Sequence, residues 1–278
     1  MRKVKADSTA QKTFWEHLDE LRTVIIRLLA VFLAAFIIAF CFRDLLFSVL
    51  LAPQHADFVT YRWIDSLLSL MAVTSDSVQS AGSISIPLIN TELAQQFIIH
   101  MKAAACVGLI VISPYVLCEC FHYISPALYR KERRYALLVV LGGYVMFLIG
   151  MLFSYYVIFP FTFRFLGTYQ VDELVVNTIT LDSYMSTLFA ITLTMGIVFQ
   201  MPVLSWLLGR LGIINRRLMR RYRRHVFIFI LAVSAVITPT SDAFTLMLVS
   251  LPMYMLYEVS IMLVGRSGVK EVKGVKGS

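Results

Sequence analysis

Long apolar runs constrain this chain more than any other feature of its sequence. Six runs cover about residues 23–42, 94–120, 135–158, 184–208, 225–237 and 243–264. Five of them are long enough, at about 1.5 Å per residue, to cross the ~30 Å hydrocarbon core of a bilayer. Only 15% of the residues are charged, against about 25% in soluble domains. The sequence therefore predicts an all-α integral membrane protein with six transmembrane helices.

The fifth run is the exception in length. His225–Ile237 has 13 residues, or about 20 Å as a helix. The last run returns after a Thr-Pro turn and is interrupted by Pro252. Two interpretations stay open, a pair of short helices across a locally thinned bilayer or a shallow re-entrant hairpin.

The positive charges are distributed very unevenly between the loops. The N-terminal segment, the loops at 121–134 and 209–224 and the tail hold 20 of the 25 lysines and arginines, whereas the alternate loops hold only Arg43, Arg62 and Arg164. Cytoplasmic loops are enriched in Lys and Arg. We therefore predict cytoplasmic termini and three parts: a cytoplasmic segment 1–22 with an amphipathic helix, a transmembrane domain 23–264 and a basic cytoplasmic tail 265–278. This explains the net charge of +8 without nucleic acid.

The polar residues do not form a catalytic pattern. The five histidines lie on different segments, and the four cysteines match no metal or redox spacing. We expect neither an enzyme nor a cofactor or metal site. The acids inside the apolar runs, Glu119 and Glu258, are both near span ends, and the deepest strongly polar side chain is the neutral Gln200. Gln200 either satisfies carbonyls near Pro202 or contacts a partner.

Two acids on the predicted cytoplasmic side are unusual in their surroundings. Glu20 precedes the first span, where Phe14, Leu18 and Leu21 lie on another face of an amphipathic helix. Glu132 lies among four cations in the loop before the third span. Carboxylates bind guanidinium groups bidentately, so the pair is a candidate site for a cationic ligand. Internal ion pairs with neighbouring arginines are the alternative.

Several short motifs, taken in order, resemble one family. The motifs are His17-Leu18-Asp19-Glu20-Leu21-Arg22, Ala52-Pro53, Ser125-Pro126-Ala127-Leu128-Tyr129 with Glu132-Arg133, Thr238-Pro239 with Asp242, Leu251-Pro252, and Leu256-Tyr257-Glu258. Together they resemble the TatC family, the multispanning subunit of the twin-arginine protein translocase. They extend from residue 17 to residue 258.

The resemblance implies a fold, a function and a set of residues. The fold is a concave, glove-like bundle with short fifth and sixth helices, in a bacterial plasma membrane rather than a thylakoid. The function is that of the core receptor, which binds twin-arginine signal peptides of folded cargo for export driven by the proton motive force. The signal-binding residues carried over are Glu20, Glu132, Arg22, Tyr123 and Arg133, and the concave-face or partner-contact candidates are Pro53, Gln200, Thr238, Asp242 and Glu258.

The resemblance also implies partners: single-span subunits of the TatA and TatB kind, further copies of the chain, and membrane lipid. Three positions depart from the family pattern. Gln200 replaces the usual Glu, the turn before Asp242 has one additional residue, and Leu246 replaces a common Gln. A small-solute secondary transporter and a membrane scaffold are the alternative functions.

Overall fold

The computed structural model describes residues 14–55, 57–70, 88–124, 136–169, 172, 178–238 and 242–275, which are predominantly helical. Strands β1 (Leu88–Ile89) and β2 (Ile179–Thr180) pair in parallel. A 3-10 turn covers Ala52–Gln54, and a π-helical turn, Ser154–Ile158, joins α5 to α6. The helices are α1 (Phe14–Cys41), α2 (Arg43–Leu50), α3 (Val59–Leu70), α4 (Gln95–Ile124), α5 (Ala136–Phe153), α6 (Phe159–Thr168), α7 (Leu181–Val198), α8 (Met201–Arg210), α9 (Arg216–Arg221), α10 (Arg223–Ile237) and α11 (Ala243–Val275).

Five helical segments are long and apolar enough to cross a membrane: Leu21–Cys41, Gln95–Glu119, Val140–Thr168, Leu181–Arg210 and Ala243–Gly265. The helical class is thus confirmed, as are five of the apolar runs as membrane-spanning candidates. Helix α10 has 15 residues, about 22 Å, and is as short as the sequence predicts. Helix α3 follows the first span, and the Ser- and Gly-rich segment after it lies outside the described residues.

Two boundaries differ from the sequence-based expectation. Helix α1 begins at Phe14 and continues without a break into the first span, so the N-terminal amphipathic segment forms the first turns of the same helix. The third apolar run was expected to end at about residue 158, before Pro160, which was wrong, because the helix continues through Pro160 to Thr168. The π-helical turn immediately before Pro160 widens the backbone where a proline ring would otherwise press on the preceding turn.

A hydroxyl group from elsewhere in the chain takes over the hydrogen bond that Pro160 cannot make. Proline has no N–H for the carbonyl one turn earlier, which here belongs to Tyr156, and the Thr60 hydroxyl donates to that carbonyl instead. Within α4 the Ser113 hydroxyl donates, at 2.7 Å, to the carbonyl one turn before Pro114. An unpaired backbone carbonyl in hydrocarbon costs several kcal/mol, so these hydroxyls make the two prolines tolerable.

Tyrosine hydroxyls fasten the segment after α2 to the neighbouring helices. The Tyr155 hydroxyl donates to the carbonyl of Val49 at 2.5 Å, one turn before Pro53. The Tyr184 hydroxyl donates to the carbonyl of Leu50 at 3.0 Å. Because both acceptors are main-chain atoms, these contacts fix the backbone of the segment rather than one of its side chains.

Tyr61 of α3 joins the same assembly. Its hydroxyl lies 3.2 Å from the carbonyl of Pro53 and 3.3 Å from that of Pro160, and the Arg164 guanidinium stacks 5.3 Å from its ring centroid. Burial raises the pKa of Tyr61 to about 12, against the smaller opposing effect of Arg164. The hydroxyl therefore remains protonated, and a hydrogen-bond donor, at neutral pH.

Glycines allow α5 and α7 to approach closely. A β-carbon at Gly150 would lie 2.7 Å from the carbonyl oxygen of Met195, and one at Gly196 would lie 2.8 Å from the Phe147 ring. Such short distances require that both positions lack a side chain. This is the packing of small residues that lets membrane helices meet backbone to backbone.

The helix ends gather at two opposite faces of the bundle. The ion pair between Lys102 and Asp182, with N and O atoms 2.8 Å apart, joins the starts of α4 and α7 near the β1–β2 pair. We name this side of the bundle the tethered end; it includes the contacts of Thr60, Tyr61, Tyr155 and Tyr184 described above. The opposite face, where Arg22, Arg210 and the α9 region lie, is named the arginine-rich end.

Candidate functional site

Three of the five residues that resemble the family's signal-binding set lie on elements of the arginine-rich end. Arg22 is exposed near the start of α1. Glu20 lies in the same helix and Tyr123 in the last turn of α4, although only their backbone is described. Glu132 and Arg133 lie outside the described residues. The structure thus assigns three of the five residues to elements and leaves the roles of all five as predictions.

The register between α1 and α4 can be read from two contacts. The rings of Phe40 and His100 stack with centroids 4.1 Å apart, and a β-carbon at Gly108 would lie 3.1 Å from the Phe32 ring. From the first contact to the second, the residue number falls by eight in α1, from Phe40 to Phe32, and rises by eight in α4, from His100 to Gly108. The two helices therefore pack antiparallel, in register at both contacts.

The same register also places Glu119, an acid that belongs to none of the family motifs. Eleven residues beyond Phe32 and Gly108, about three turns on each helix, lie Leu21 and Glu119, and three turns return a residue to the same face. Glu119 therefore lies level with the segment that contains Glu20 and Arg22. It is half-buried and makes no ion pair with any described residue. The sequence offered one signal for it, an acid at the end of an apolar run.

Gln200 lies at the break between α7 and α8 and is buried. Its amide nitrogen donates to the carbonyl of Gly143 in α5 at 2.8 Å, and a β-carbon at Gly143 would come 3.2 Å from its amide oxygen. The amide thus links two helices rather than satisfying a carbonyl near Pro202. A neutral side chain makes this contact without the cost of a buried charge.

The other carried-over residues make intramolecular contacts at helix ends. The Asp242 carboxylate accepts from both the backbone N–H and the hydroxyl of Thr245, each at 2.7 Å, as an N-cap of α11 does. The Thr238 hydroxyl is buried and donates to the carbonyl of Ser234 at 3.0 Å. Pro53 is buried at the tethered end. These contacts account structurally for the three residues, and none of them tests a partner-contact role.

Glu258 pairs with a residue of the short helix α10. Its carboxylate lies 2.5 Å from Nη2 of Arg223 and accepts from the Tyr254 hydroxyl at 3.1 Å. Tyr257 of α11 donates to the carbonyl of Met219 at 2.8 Å, which holds α9 against α11. This network orders the arginine-rich end around α11.

Apolar helices of membrane-spanning length, joined through glycines and buried hydrogen bonds, define a multispanning helical membrane protein. Among the described residues no three His, Cys, Asp or Glu side chains are grouped to hold a metal ion. The family model for Sec-independent protein translocase protein (TatC) matches residues 16–252. The chain belongs to the TatC family, and it is therefore a non-enzymatic subunit of a Tat protein translocase.

Relatives and solved structures agree over most of the chain. Sec-independent protein translocase protein TatC of Blattabacterium sp. subsp. Periplaneta americana is 30% identical over 249 residues, which cover 89% of this chain and 93% of the relative. The Deinococcus radiodurans protein of the same name is 31% identical over 259 residues, covering 91% and 86%. A crystal structure of the twin-arginine translocase receptor TatC superposes with a TM-score of 0.71 at 28% identity and covers 90% of this chain and 98% of that one.

Proposed function

We propose that the chain is the core receptor subunit of a twin-arginine translocase and binds the signal peptides of folded cargo. The observation that carries the proposal is the extent of the family match, because residues 16–252 include both acid-bearing motifs. The similar structure described as a twin-arginine translocase receptor supports it. Export across the membrane is then driven by the proton motive force.

We further propose that the chain lies in a bacterial plasma membrane and crosses it six times, with α10 as the short fifth span. Both termini are then in the cytoplasm. The proposal extends to the division into a cytoplasmic segment 1–22, a transmembrane domain 23–264 and a basic tail 265–278. It is supported by the arginine distribution, since Arg210 and the six arginines of α9 and its C-terminal flank lie at one end of the bundle. The positive-inside rule assigns that end to the cytoplasm.

Binding in this proposal is electrostatic. Glu20 and Glu132 accept hydrogen bonds from the two consecutive arginines of the signal, and Glu119 adds a carboxylate level with Glu20. A hydrogen bond involving a charged group contributes about 1.5–3 kcal/mol. Arg22, Tyr123 and Arg133 border the same patch.

The apolar part of the signal lies along the concave face of the bundle, near Gln200. The same face, or the surfaces near Pro53, Thr238, Asp242 and Glu258, receives single-span subunits of the TatA and TatB kind. Further copies of the chain complete the complex. The exposed apolar side chains that cover α1 and α11 suit contact with lipid and with such single helices alike.

Cross-linking tests the proposal. A twin-arginine signal peptide with a photoreactive group beside its arginines is expected to label membranes containing the wild-type chain. Glu132→Gln keeps the shape of the side chain and removes its charge, so labelling is expected to fall about tenfold or more. A signal with two lysines serves as the matched ligand control, because a point charge lacks the guanidinium fork.

Two results would contradict it. Equal labelling of wild type and Glu132→Gln, without preference between arginine and lysine, would indicate a scaffold whose acids are only ion-paired. Substrate-dependent flux through liposomes that contain this chain alone would indicate a small-solute transporter instead.

A further inference from the structure

The largest group of positive charges among the described residues lies on the surface of the arginine-rich end. We define the α9 patch as Arg210, Arg216, Arg217, Arg220, Arg221, Arg223 and Arg224. Six of these side chains are exposed, and Arg223 is half-buried. Arg223 is paired with Glu258, and Arg210 stacks on the Trp206 ring at 4.9 Å from its centroid. The other five guanidinium groups form no ion pair within the described part of the chain.

The patch is held in place by the helices beneath it. Met219, between the exposed arginines of α9, is buried, and its carbonyl accepts from the Tyr257 hydroxyl at 2.8 Å. A β-carbon at Gly265 would lie 2.5 Å from Cδ of Arg216, so the arginine stem lies directly against α11. A topology signal needs positive charge but no fixed arrangement of it. The fixed arrangement of these arginines is therefore more than a topology signal needs, and it suits a bound ligand.

The depth of the patch in the membrane identifies the kind of ligand. Two candidate spans end at Arg210 and at Gly265, and both ends adjoin the patch. Ile213, Leu218 and Tyr222 expose 63%, 46% and 48% of their surface among the arginines. Apolar and aromatic side chains beside a span end belong at the level of the lipid headgroups.

We propose that the α9 patch binds the phosphate groups of anionic phospholipids. Guanidinium groups bind phosphate bidentately, and clusters of cations at this depth attract acidic lipids. An acidic segment of a partner protein offers similar charge, but the interleaved Ile213, Leu218 and Tyr222 favour a ligand that brings acyl chains. The proposal concerns lipid bound to the receptor and does not depend on how signal peptides are recognised.

Fluorescence quenching by brominated lipid provides a local test. The chain has three tryptophans, and two reporters of the full chain are made: Trp15→Phe/Trp63→Phe keeps Trp206 beside the patch, and Trp15→Phe/Trp206→Phe keeps Trp63. Trp63 is 70% exposed in α3 at the tethered end. The purified reporters are reconstituted in phosphatidylcholine with a minor fraction of brominated phosphatidylglycerol. We expect about tenfold enrichment of the anionic lipid at Trp206 and none at Trp63.

Two double variants separate the patch from net charge. Arg217→Gln/Arg221→Gln is expected to abolish the enrichment at Trp206, whereas Arg43→Gln/Arg62→Gln, which removes the same charge at the other end, leaves it unchanged. Arg217→Lys/Arg221→Lys keeps the charge and should retain about half of the enrichment. Size-exclusion profiles identify any variant that fails to fold. If Arg217→Gln/Arg221→Gln fails, the enrichment at Trp206 is compared between wild type and Arg217→Lys/Arg221→Lys instead.

Three outcomes would overturn the proposal. The first is equal enrichment at the two tryptophans, or equal loss in the two glutamine pairs. The second is displacement of the brominated lipid by millimolar inorganic phosphate, which would indicate a site for a free anion. The third is protection of Trp206 by a soluble acidic peptide, which would indicate a protein partner.

Discussion

The two ends of the bundle use polar groups in opposite ways. At the tethered end, hydroxyls of Thr60, Tyr61, Tyr155 and Tyr184 donate to main-chain carbonyls of other segments. At the arginine-rich end, the guanidinium groups of the α9 patch other than those of Arg210 and Arg223 form no ion pair within the described part of the chain, and Glu119 forms none there either. Hydrogen bonds from hydroxyls to backbone carbonyls predominate at the first end, and exposed arginines predominate at the second.

This difference follows from what each group can do when it is left unpaired. A backbone carbonyl near hydrocarbon has no water to accept from and must be satisfied inside the protein. A charged side chain at the headgroup level remains hydrated or meets an ionic ligand. Fixed neutral bonds therefore suit the end that holds the bundle together, and exposed charges suit the end that we propose to bind the signal peptide.

The two ends can differ in this way only if the core between them is rigid. Gly150→Ala is expected to disturb that core more than any other substitution proposed here. The added methyl would lie 2.7 Å from both the Met195 carbonyl oxygen and the Phe199 ring, so α5 and α7 must separate. Overpacking of this kind costs about 1–3 kcal/mol, and we expect the upper end because backbone is involved. The measurement is the unfolding midpoint in detergent.

Gly142→Ala is the matched control in the same helix. A β-carbon at Gly142 would have no atom within 4 Å outside its own chain neighbourhood, and alanine favours helix over glycine by about 1 kcal/mol. Its midpoint should stay unchanged or rise. Equal destabilisation by both substitutions would show that the loss in Gly150→Ala does not come from the close approach of α5 and α7.

At the tethered end, Thr60→Val tests whether the hydroxyl is needed at the carbonyl that Pro160 leaves free. Valine has nearly the same shape and removes the donor to Tyr156. An unsatisfied carbonyl costs about 1–3 kcal/mol, and we expect about 2 kcal/mol of lost stability with signal-peptide binding unchanged. Thr168→Val is the control, because the Thr168 hydroxyl donates within its own helix to the carbonyl of Arg164. A loss as large in the control would mean that Thr60 contributes nothing specific.

At the arginine-rich end, Glu119→Gln tests the register argument. If Glu119 supplies a carboxylate to the signal's arginines, binding should weaken about tenfold, or about 1.4 kcal/mol, while the unfolding midpoint stays constant. Glu92→Gln, an exposed acid next to α4 at the opposite end, is the control. Unchanged binding in Glu119→Gln together with loss in Glu132→Gln would remove Glu119 from the site and leave the proposed function intact.

Sequence patterns anticipated the spans well because hydrophobic length is a local property. They failed at Pro160, where a proline normally predicts a helix end. The helix continues because Thr60, 96 residues away, satisfies the freed carbonyl, and no local window contains both residues. Similarly, Asp242 carries a family motif, and the structure shows that it also caps a helix through its contacts with Thr245.

In the candidate site, too, some residues can be predicted from local sequence and others only from the packing of helices. Glu20 and Glu132 can be recognised from short sequence motifs, whereas Glu119 belongs to none of these motifs. The significance of Glu119 comes from the antiparallel register set by Phe32 and Gly108, which is a property of two helices. The link from Gln200 to Gly143 is likewise visible only once α5 and α7 are packed.

The smallest expected effect comes from Glu258→Gln. Its ion pair with Arg223 is solvent-accessible, with side chains 41% exposed for Arg223 and 25% for Glu258, and pairs of this kind contribute about 0–1 kcal/mol. We expect the unfolding midpoint to fall slightly at low salt and the difference to vanish at high salt, because exposed charges are screened. Tyr254→Phe, which removes the neutral donor to the same carboxylate, should show no such salt dependence. A salt-independent loss as large as that of Thr60→Val would mean that the charged contacts of the arginine-rich end stabilise the fold as strongly as the hydroxyl contacts of the tethered end, and the contrast between the two ends would then fail.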